Sequence, residues 1–348
     1  MRPRPPASPD RKRSGPGRAR AGASGPSPTG SGPGREAAGR SPPSPQVARA
    51  RNRNVRPAPC DQCTHDYGHP QGPGGSFRFE SSDVKEQAAV PEPIPLDQLH
   101  FAMPPQHDSV EGERRYRQER LAGALRLFGR YGFEEGVAGL ITVRDPEYPD
   151  CFWANPFGLP FRHLTVSDLI MVNEAGQVVE GRYHVNQAAF IIHSHVYRAR
   201  PAVAAVAHTR SPHGRVLAAL GEPLEPLTQD ACAFFEDHAL FDRYTGAVVD
   251  PAEARAVAAA LGPYKALILR NHGLLTVGDS VDAAAWWFIT MEQACHVQLA
   301  AKAAGRPVPI DRRSAVETRD QIGSDLAAWI NYQALYEDIT RSEPELLT

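Results

Sequence analysis

The apolar run Val203-Ala204-Ala205-Val206-Ala207 leads directly into the polar cluster His208-Thr209-Arg210-Ser211-Pro212-His213-Gly214. A continuous apolar run of this length predicts a strand buried on both faces. Ser211-Pro212 predicts the helix that follows, with serine as cap and proline in the first turn. Side chains alternate along a strand, so His208 and Arg210 are expected on the same side where strand gives way to helix. Strand ends are where open sheets bind ligands. A second stretch has the same shape. Ala266–Leu269 predicts a buried strand, and it ends in Arg270-Asn271-His272-Gly273, where the glycine allows a tight turn. Two histidines at two buried strand ends suit either a metal site or a pair of hydrogen-bonded structural histidines.

Periodicity supplies the other elements. Leu121, Leu125 and Phe128 lie on one face of a helix predicted over Arg114–Tyr131. Gly139–Arg144 and Cys151–Ala154 read as strands joined through the Asp145-Pro146-Glu147 turn. Leu169–Val172 and Gln177–Glu180 read as a hairpin. Asn186–Arg198 is a predicted helix with Ala189, His193 and Tyr197 on one face at steps of four. Pro251–Leu261 is another helix, and Leu274–Val277 a short strand. Ser280 caps a long helix that carries Val281, Ala284, Phe288, Met291 and Cys295 on one face, with His296 at the surface. Beyond Pro309, polar helices suggest a role in assembly. Strands and helices interleave, which predicts an α/β fold: a single layered domain with a mixed central sheet flanked by helices. Its expected span is residues 109–310, followed by a helical extension over 311–348. No internal repeat, P-loop or Rossmann glycine pattern, or Gly-x-Ser-x-Gly elbow is present.

Charge is divided unevenly. Met1–Ala58 carries 13 Arg and Lys against two acidic residues, so the net −2 of the 348-residue chain hides a basic tail on an acidic body. This tail is Pro-, Gly- and Arg-rich with almost no large apolar residues, and residues 1–108 are expected to be disordered tail and linker. It lacks the aromatic interleaving of single-strand binders, so no nucleic-acid partner is expected. Met103, just before the first helix, is an alternative start. Cys60, Cys63, His65 and His69 have the spacing of zinc ligands but no apolar residues around them to build a core. Five cysteines, sparse and odd in number, fit a reducing compartment. No apolar run approaches the ~20 residues that span a bilayer, and no secretory h-region follows the basic start. The expectation is a cytoplasmic protein with no membrane partner.

Glu113–Gly305 resembles the class II aldolase/adducin family. The resemblance is carried by Gly139–Arg144, Thr165–Leu169, Tyr197–Pro201, Ala207–Pro212 and Arg270–Leu275, in this order. It implies a mixed sheet layered with helices, a homotetramer with sites between subunits, a small-molecule substrate, and a divalent metal, zinc above all. In such enzymes the metal is held by the two histidines of His-x-His and the histidine of Asn-His-Gly. A glutamate in Pro-Ser-Ser-Glu abstracts a proton, and the metal holds an enediolate while the bond α to the carbonyl breaks or forms. Carried over, the metal ligands fall on His208 and His272. The remaining ligand position is Arg210, and the base position is Ala189, in Asn186-Gln187-Ala188-Ala189. Both depart from the pattern. Related bacterial members carry histidine at the positions of Leu140, Cys151, Pro160 and Arg210.

An arginine has no acceptor and stays charged. At about 4 Å and an effective dielectric of about 20, its repulsion of a divalent ion is roughly 8 kcal/mol. A full structural zinc site gains on the order of 10–16 kcal/mol. Metal binding is therefore expected to be weak or lost unless His193 or His213 substitutes. Arg210 could instead serve as the fixed positive charge for a substrate oxyanion or carboxylate. Glu236 and His238 are then candidate proton acceptors. Two readings follow: a metal-dependent aldolase, lyase or epimerase on a small hydroxy-carbonyl compound with an impaired site, or a non-catalytic adducin-like protein that acts through assembly.

Overall fold

The computed structural model describes residues 93–244, 246 and 250–348. The Cys60–His69 cluster and most of the tail lie outside them. The helices are α1 (Val110–Arg130), α2 (Gln187–Ala199), α3 (Pro212–Leu220), α4 (Gln229–Cys232), α5 (Pro251–Leu261), α6 (Val281–Ala304), α7 (Arg312–Ile322) and α8 (Asp325–Ser342). The strands are β1 (Leu140–Arg144), β2 (Cys151–Ala154), β3 (Ile170–Asn173), β4 (Val178–Glu180), β5 (Ala205–Thr209), β6 (His238–Phe241), β7 (Ala266–Leu269) and β8 (Gly273–Gly278). They form one eight-stranded sheet in the order β4-β3-β2-β1-β5-β8-β7-β6. The sheet is mixed, as expected: β6 and β7 run parallel, and the other neighbours pair antiparallel.

Alternation along the central strands divides the core into two layers. Ile141, Val143, Ala205 and Ala207 face a cluster built with α1, α6 and α8. Leu140 and Val206 face the other way, into a cluster built with α2 and α5. The small residues of β5 let it sit at the middle of the sheet, between β1 and β8, with every position buried. His208 shares the parity of Val206 and so belongs to the α2 side.

Helix starts follow the capping residues of the sequence. Ser109 accepts from Gly112 N at 3.0 Å, so α1 begins slightly earlier than its apolar face alone suggests. Asn186 and Ser280 cap α2 and α6 in the same way. The expectation at Ser211 needs correction. It occupies the cap position of α3, but its hydroxyl makes no capping bond. Instead it donates to Glu292 Oε2 at 2.5 Å, and the Glu292 carboxylate itself accepts from His213 N (2.7 Å) and Gly214 N (2.6 Å). A buried acid from α6 therefore caps α3, where negative charge complements the helix dipole.

The C-terminal helices are integral to the domain. Tyr332, Ile339 and Leu346 are fully buried in the same core as Leu121, Leu125 and Phe128. No described helix is long and apolar enough to cross a membrane.

Candidate active site

The ends of β5 and β7 meet at one place. His208 is the penultimate residue of β5, and its ring lies 4.8 Å from that of His272, edge-on at 76°. The approach depends on the tight turn from β7 to β8, in which Leu269 pairs with Gly273. Asn271 takes a left-handed conformation there (φ 55°), which asparagine tolerates better than most residues. Gly273 is required by proximity: a Cβ on it would stand 2.6 Å from the Thr209 carbonyl oxygen. The turn thus brings His272 against the end of β5 only because position 273 has no side chain.

Hydrogen bonding sets the His208 tautomer. Its Nδ1–H donates to the Leu274 carbonyl at 2.7 Å, which leaves Nε2 as a free acceptor. Burial, and secondarily the neighbouring His272 and Arg210, push His208 down to about 3, against the pull of the Leu274 carbonyl. Burial and then Arg210 push His272 down to about 4. Both rings are therefore neutral across the physiological range.

A cavity of about 320 Å³ opens in front of the pair. Ala188, Ala189 and Ile192 of α2 form one wall, and Arg210 and Arg215 supply its charge. Arg215 is paired with Glu135 at 2.5 Å. Arg210 is exposed and makes no ion pair among the described residues. No Asp, Glu or Cys lines this cavity among the described residues. Ala189, where the resemblance would place the base, presents only a methyl group to it.

The other candidates are placed elsewhere. His193, on α2 one turn beyond Ala189, is fully buried. Its Nδ1 lies 2.8 Å from Thr142 Oγ1, which in turn lies 2.9 Å from Tyr197 Oη, and its Nε2 has no hydrogen-bond partner. Burial, with His208 nearby, holds it well below the ordinary imidazole range. His213 is committed to Glu292 (Nδ1 to Oε1, 2.9 Å) and stacks on His296 at 3.9 Å. Glu236 accepts from Arg312 at 3.0 and 3.1 Å. His238 bonds the Phe234 carbonyl and the Leu224 amide. Neither Glu236 nor His238 lines the cavity.

These placements test the fit to a divalent metal. Among the described residues no group of three or more His, Cys, Asp or Glu side chains could hold one ion. His208 and His272 offer two neutral nitrogens, and the charge nearest them is a cation. The residues of this chain alone do not fit a resident divalent ion.

Sequence reasoning missed Glu292, Thr142 and Arg215. Glu292 had a usable signal: an acidic residue beside Met291 and Cys295 on a helix face that is otherwise apolar asks for a buried partner.

Comparison with known proteins agrees with this architecture. The family model for the class II aldolase and adducin N-terminal domain matches residues 119–299. The decarboxylase NovR of Streptomyces niveus is 48% identical over 251 residues, covering 72% of this chain and 93% of that protein. The 4-hydroxy-3-prenylphenylpyruvate oxygenase/4-hydroxy-3-prenylbenzoate synthase of Streptomyces roseochromogenus subsp. oscitans is 48% identical over 249 residues, covering 71% of this chain and 90% of that protein. Among solved structures, L-fuculose 1-phosphate aldolase from Glaciozyma antarctica PI12 superposes with a TM-score of 0.66 at 44% identity, covering 70% of this chain and 96% of that one. The sheet order, the paired strand-end histidines and these matches agree that the chain belongs to the class II aldolase and adducin family.

Proposed function

We propose that the protein is a lyase-type enzyme that breaks a carbon–carbon bond next to a carbonyl group in a small substrate held against His208 and His272. The observation that carries this reading is the pair of neutral imidazoles facing a 320 Å³ cavity whose charged side chains are all arginines. Similar proteins named as a decarboxylase and as an aldolase support it. The two chemistries share an intermediate. In a 3-hydroxy carbonyl compound, breaking the C2–C3 bond turns the C3 hydroxyl into a carbonyl and releases its proton. The bond's electron pair passes to C2 and onto the C1 oxygen as an enolate, and protonation at C2 completes the reaction. In a 3-oxo acid the departing group is CO2, and the enolate oxygen is that of the ketone. In either case negative charge develops on one oxygen. Arg210 and the cavity's amide groups would stabilise it, and the low-dielectric surroundings of the imidazoles strengthen that interaction. The carboxylate of the family's Pro-Ser-Ser-Glu is replaced by Ala189, so the proton passes to water or to an imidazole.

Members of this family typically use a divalent metal. The donors present among the described residues stop at two imidazoles, so the step above runs on this chain's own side chains. The homotetramer belongs to the same reading, and light scattering tests it. The test of activity is release of CO2 or of an aldehyde from a panel of 3-oxo acids and 3-hydroxy carbonyl compounds. The expected outcome is turnover of at least one compound, lost in His272→Gln with the fold intact by circular dichroism. No product from any of them would favour the second reading, an adducin-like assembly protein. That no carboxylate base lines the cavity among the described residues is the observation on that side.

A further inference from the structure

The cavity's charges do not match the chemistry that its family resemblance implies, and the mismatch identifies a ligand. A site that holds a divalent cation surrounds it with neutral or anionic donors. Here no acidic or thiol side chain lines the cavity among the described residues, while two guanidinium groups do. Arg215 is already matched by Glu135. Arg210 is not matched by any carboxylate among the described residues. It cannot shed its charge, and it stands directly after the strand that carries His208. Glu292, the α6 acid at the start of α3, is unavailable to it. That carboxylate is buried and saturated by Ser211, His213 and Gly214.

The start of α3 is equally unavailable as an anion site, because Glu292 already occupies its amides. An incoming anion has one unneutralised partner left, the Arg210 guanidinium. Its planar fork matches a carboxylate bidentately. Position 189 presents a methyl group instead of a carboxylate, so nothing on the α2 wall repels such a ligand.

We propose that Arg210 takes over the charge role of a metal in this site and binds the carboxylate of a small oxo- or hydroxy-acid, so that ligand binding is independent of divalent metal. The claim rests on reading this cavity as the substrate site and names its substrate class: carboxylates rather than phosphorylated sugars. Substrate would enter with its carboxylate on Arg210 and a hydroxyl donating to His208 Nε2, the free acceptor of the pair. Oxalate presents carboxylate and no hydroxyl, which makes it a probe of the Arg210 contact alone. Its uncharged diamide, oxamide, has the same shape without the charge.

Isothermal titration of the full chain with oxalate, in chelator and then with added zinc, tests the assignment. The expected result is binding of the same strength in both conditions, with no binding of oxamide. Arg210→Gln should weaken oxalate by roughly tenfold or more, the loss of one charge-assisted pair. Arg210→Lys, which keeps the charge but not the fork, should fall between the two. Metal analysis adds an independent readout: little metal in the wild type, and near-stoichiometric metal in Arg210→His. Oxalate binding that needs zinc, or that persists at full strength in both Arg210→Gln and Arg210→Lys, would overturn the assignment. So would a full complement of metal in the purified wild type. If Arg210→Gln fails to fold, the lysine variant and the chelator arm still decide. Oxalate binding without turnover would count against the lyase reading alone. Turnover without oxalate binding would count against the carboxylate assignment alone.

Discussion

Two arginines of this chain are treated in opposite ways. Arg120, on α1, is 5% exposed and lies 3.1 Å from Asp282 of α6. The rings of Tyr336 and Tyr116 cover its guanidinium at 3.7 and 5.0 Å. Gln333 of α8 bonds both partners, donating to Asp282 at 3.0 Å. This cation knits three helices together, and its charge is matched where it is buried. Arg210 lies exposed just beyond the end of β5, beside two neutral imidazoles, and has no carboxylate among the described residues. Burying a charge is tolerable only when it is paired. A cation left unmatched at the mouth of a cavity costs little while water covers it, and it gains its partner when a ligand displaces that water.

The largest test of this contrast is at Asp282. Asp282→Ala leaves Arg120 buried without its carboxylate, which should cost about 3–5 kcal/mol of unfolding free energy. Urea denaturation followed by tryptophan fluorescence measures it. A loss below about 1 kcal/mol would place Arg120 among the tolerated isolated charges and remove the distinction from Arg210.

Next in size is Gly273→Ala. The added Cβ meets backbone, the Thr209 carbonyl at 2.6 Å, so β5 and β8 must separate locally. Overpacking of this kind costs about 1–3 kcal/mol. It should also move His272 off His208 and weaken ligand binding beyond what the stability loss explains. Normal binding in this variant would mean that the close approach of the two rings is incidental to the site.

The framework was legible because its elements announce themselves locally. The small apolar residues of β5, the Ser280 cap and the Asn271-Gly273 turn each act over a few positions. The meeting of His208 with His272 was suggested by two like strand ends and made specific by the family resemblance, although sixty-odd residues separate them and β8 intervenes in the sheet. What stayed hidden depends on long-range pairing. The Glu292 carboxylate reaches α3 from α6, and Thr142 of β1 holds His193 of α2. No local pattern of residues encodes which distant partner satisfies a buried polar group. The C-terminal helices show the same limit. Their polar composition suggested a helical extension with a role in assembly, and it did not reveal that Tyr332 and Ile339 of α8 are buried in the core shared with α1 and α6.

The imidazoles themselves give the third test, through pH. An unfolded histidine titrates near 6.5, while His208 and His272 are pushed down to about 3 and 4. Between these values the unfolded chain binds protons that the folded chain does not. Stability is therefore complete above about pH 6.5 and falls as the solution is acidified toward 4. For each fully buried ring the slope approaches ~1.4 kcal/mol per pH unit. His193, held low by its own burial, acts in the same direction. Asp145, lowered to about 2 although burial opposes it, because Arg114 and other donors hydrogen-bond it, contributes only below its ordinary value of 3.8. In the window from about pH 6.5 to 4.5, Asp279 and Asp282, raised by burial, act in the opposite direction on acidification, and His238, lowered by burial, adds to the other histidines, so the strand-end pair is read from the difference between wild type and variant. His208→Gln should flatten the profile there, and an unchanged slope would mean that the strand-end pair is not held neutral.

The smallest expected effect is the most discriminating, because it concerns Arg210 directly. Arg210→Gln removes an exposed cation that holds no carboxylate, so unfolding free energy at pH 7.5 should change by less than about 0.5 kcal/mol. The sign should then depend on pH. Arg210 is among the causes that depress both His208 and His272, so its removal lets their folded values rise. The gap to the unfolded value narrows, and the variant should lose less stability than the wild type on going from pH 7.5 to 5.5. Paired urea titrations at the two pH values read this difference. A loss above about 1 kcal/mol at pH 7.5 would give Arg210 a structural role of the Arg120 kind. Together with intact oxalate binding, that result would leave the cavity without a reason for its unmatched charge.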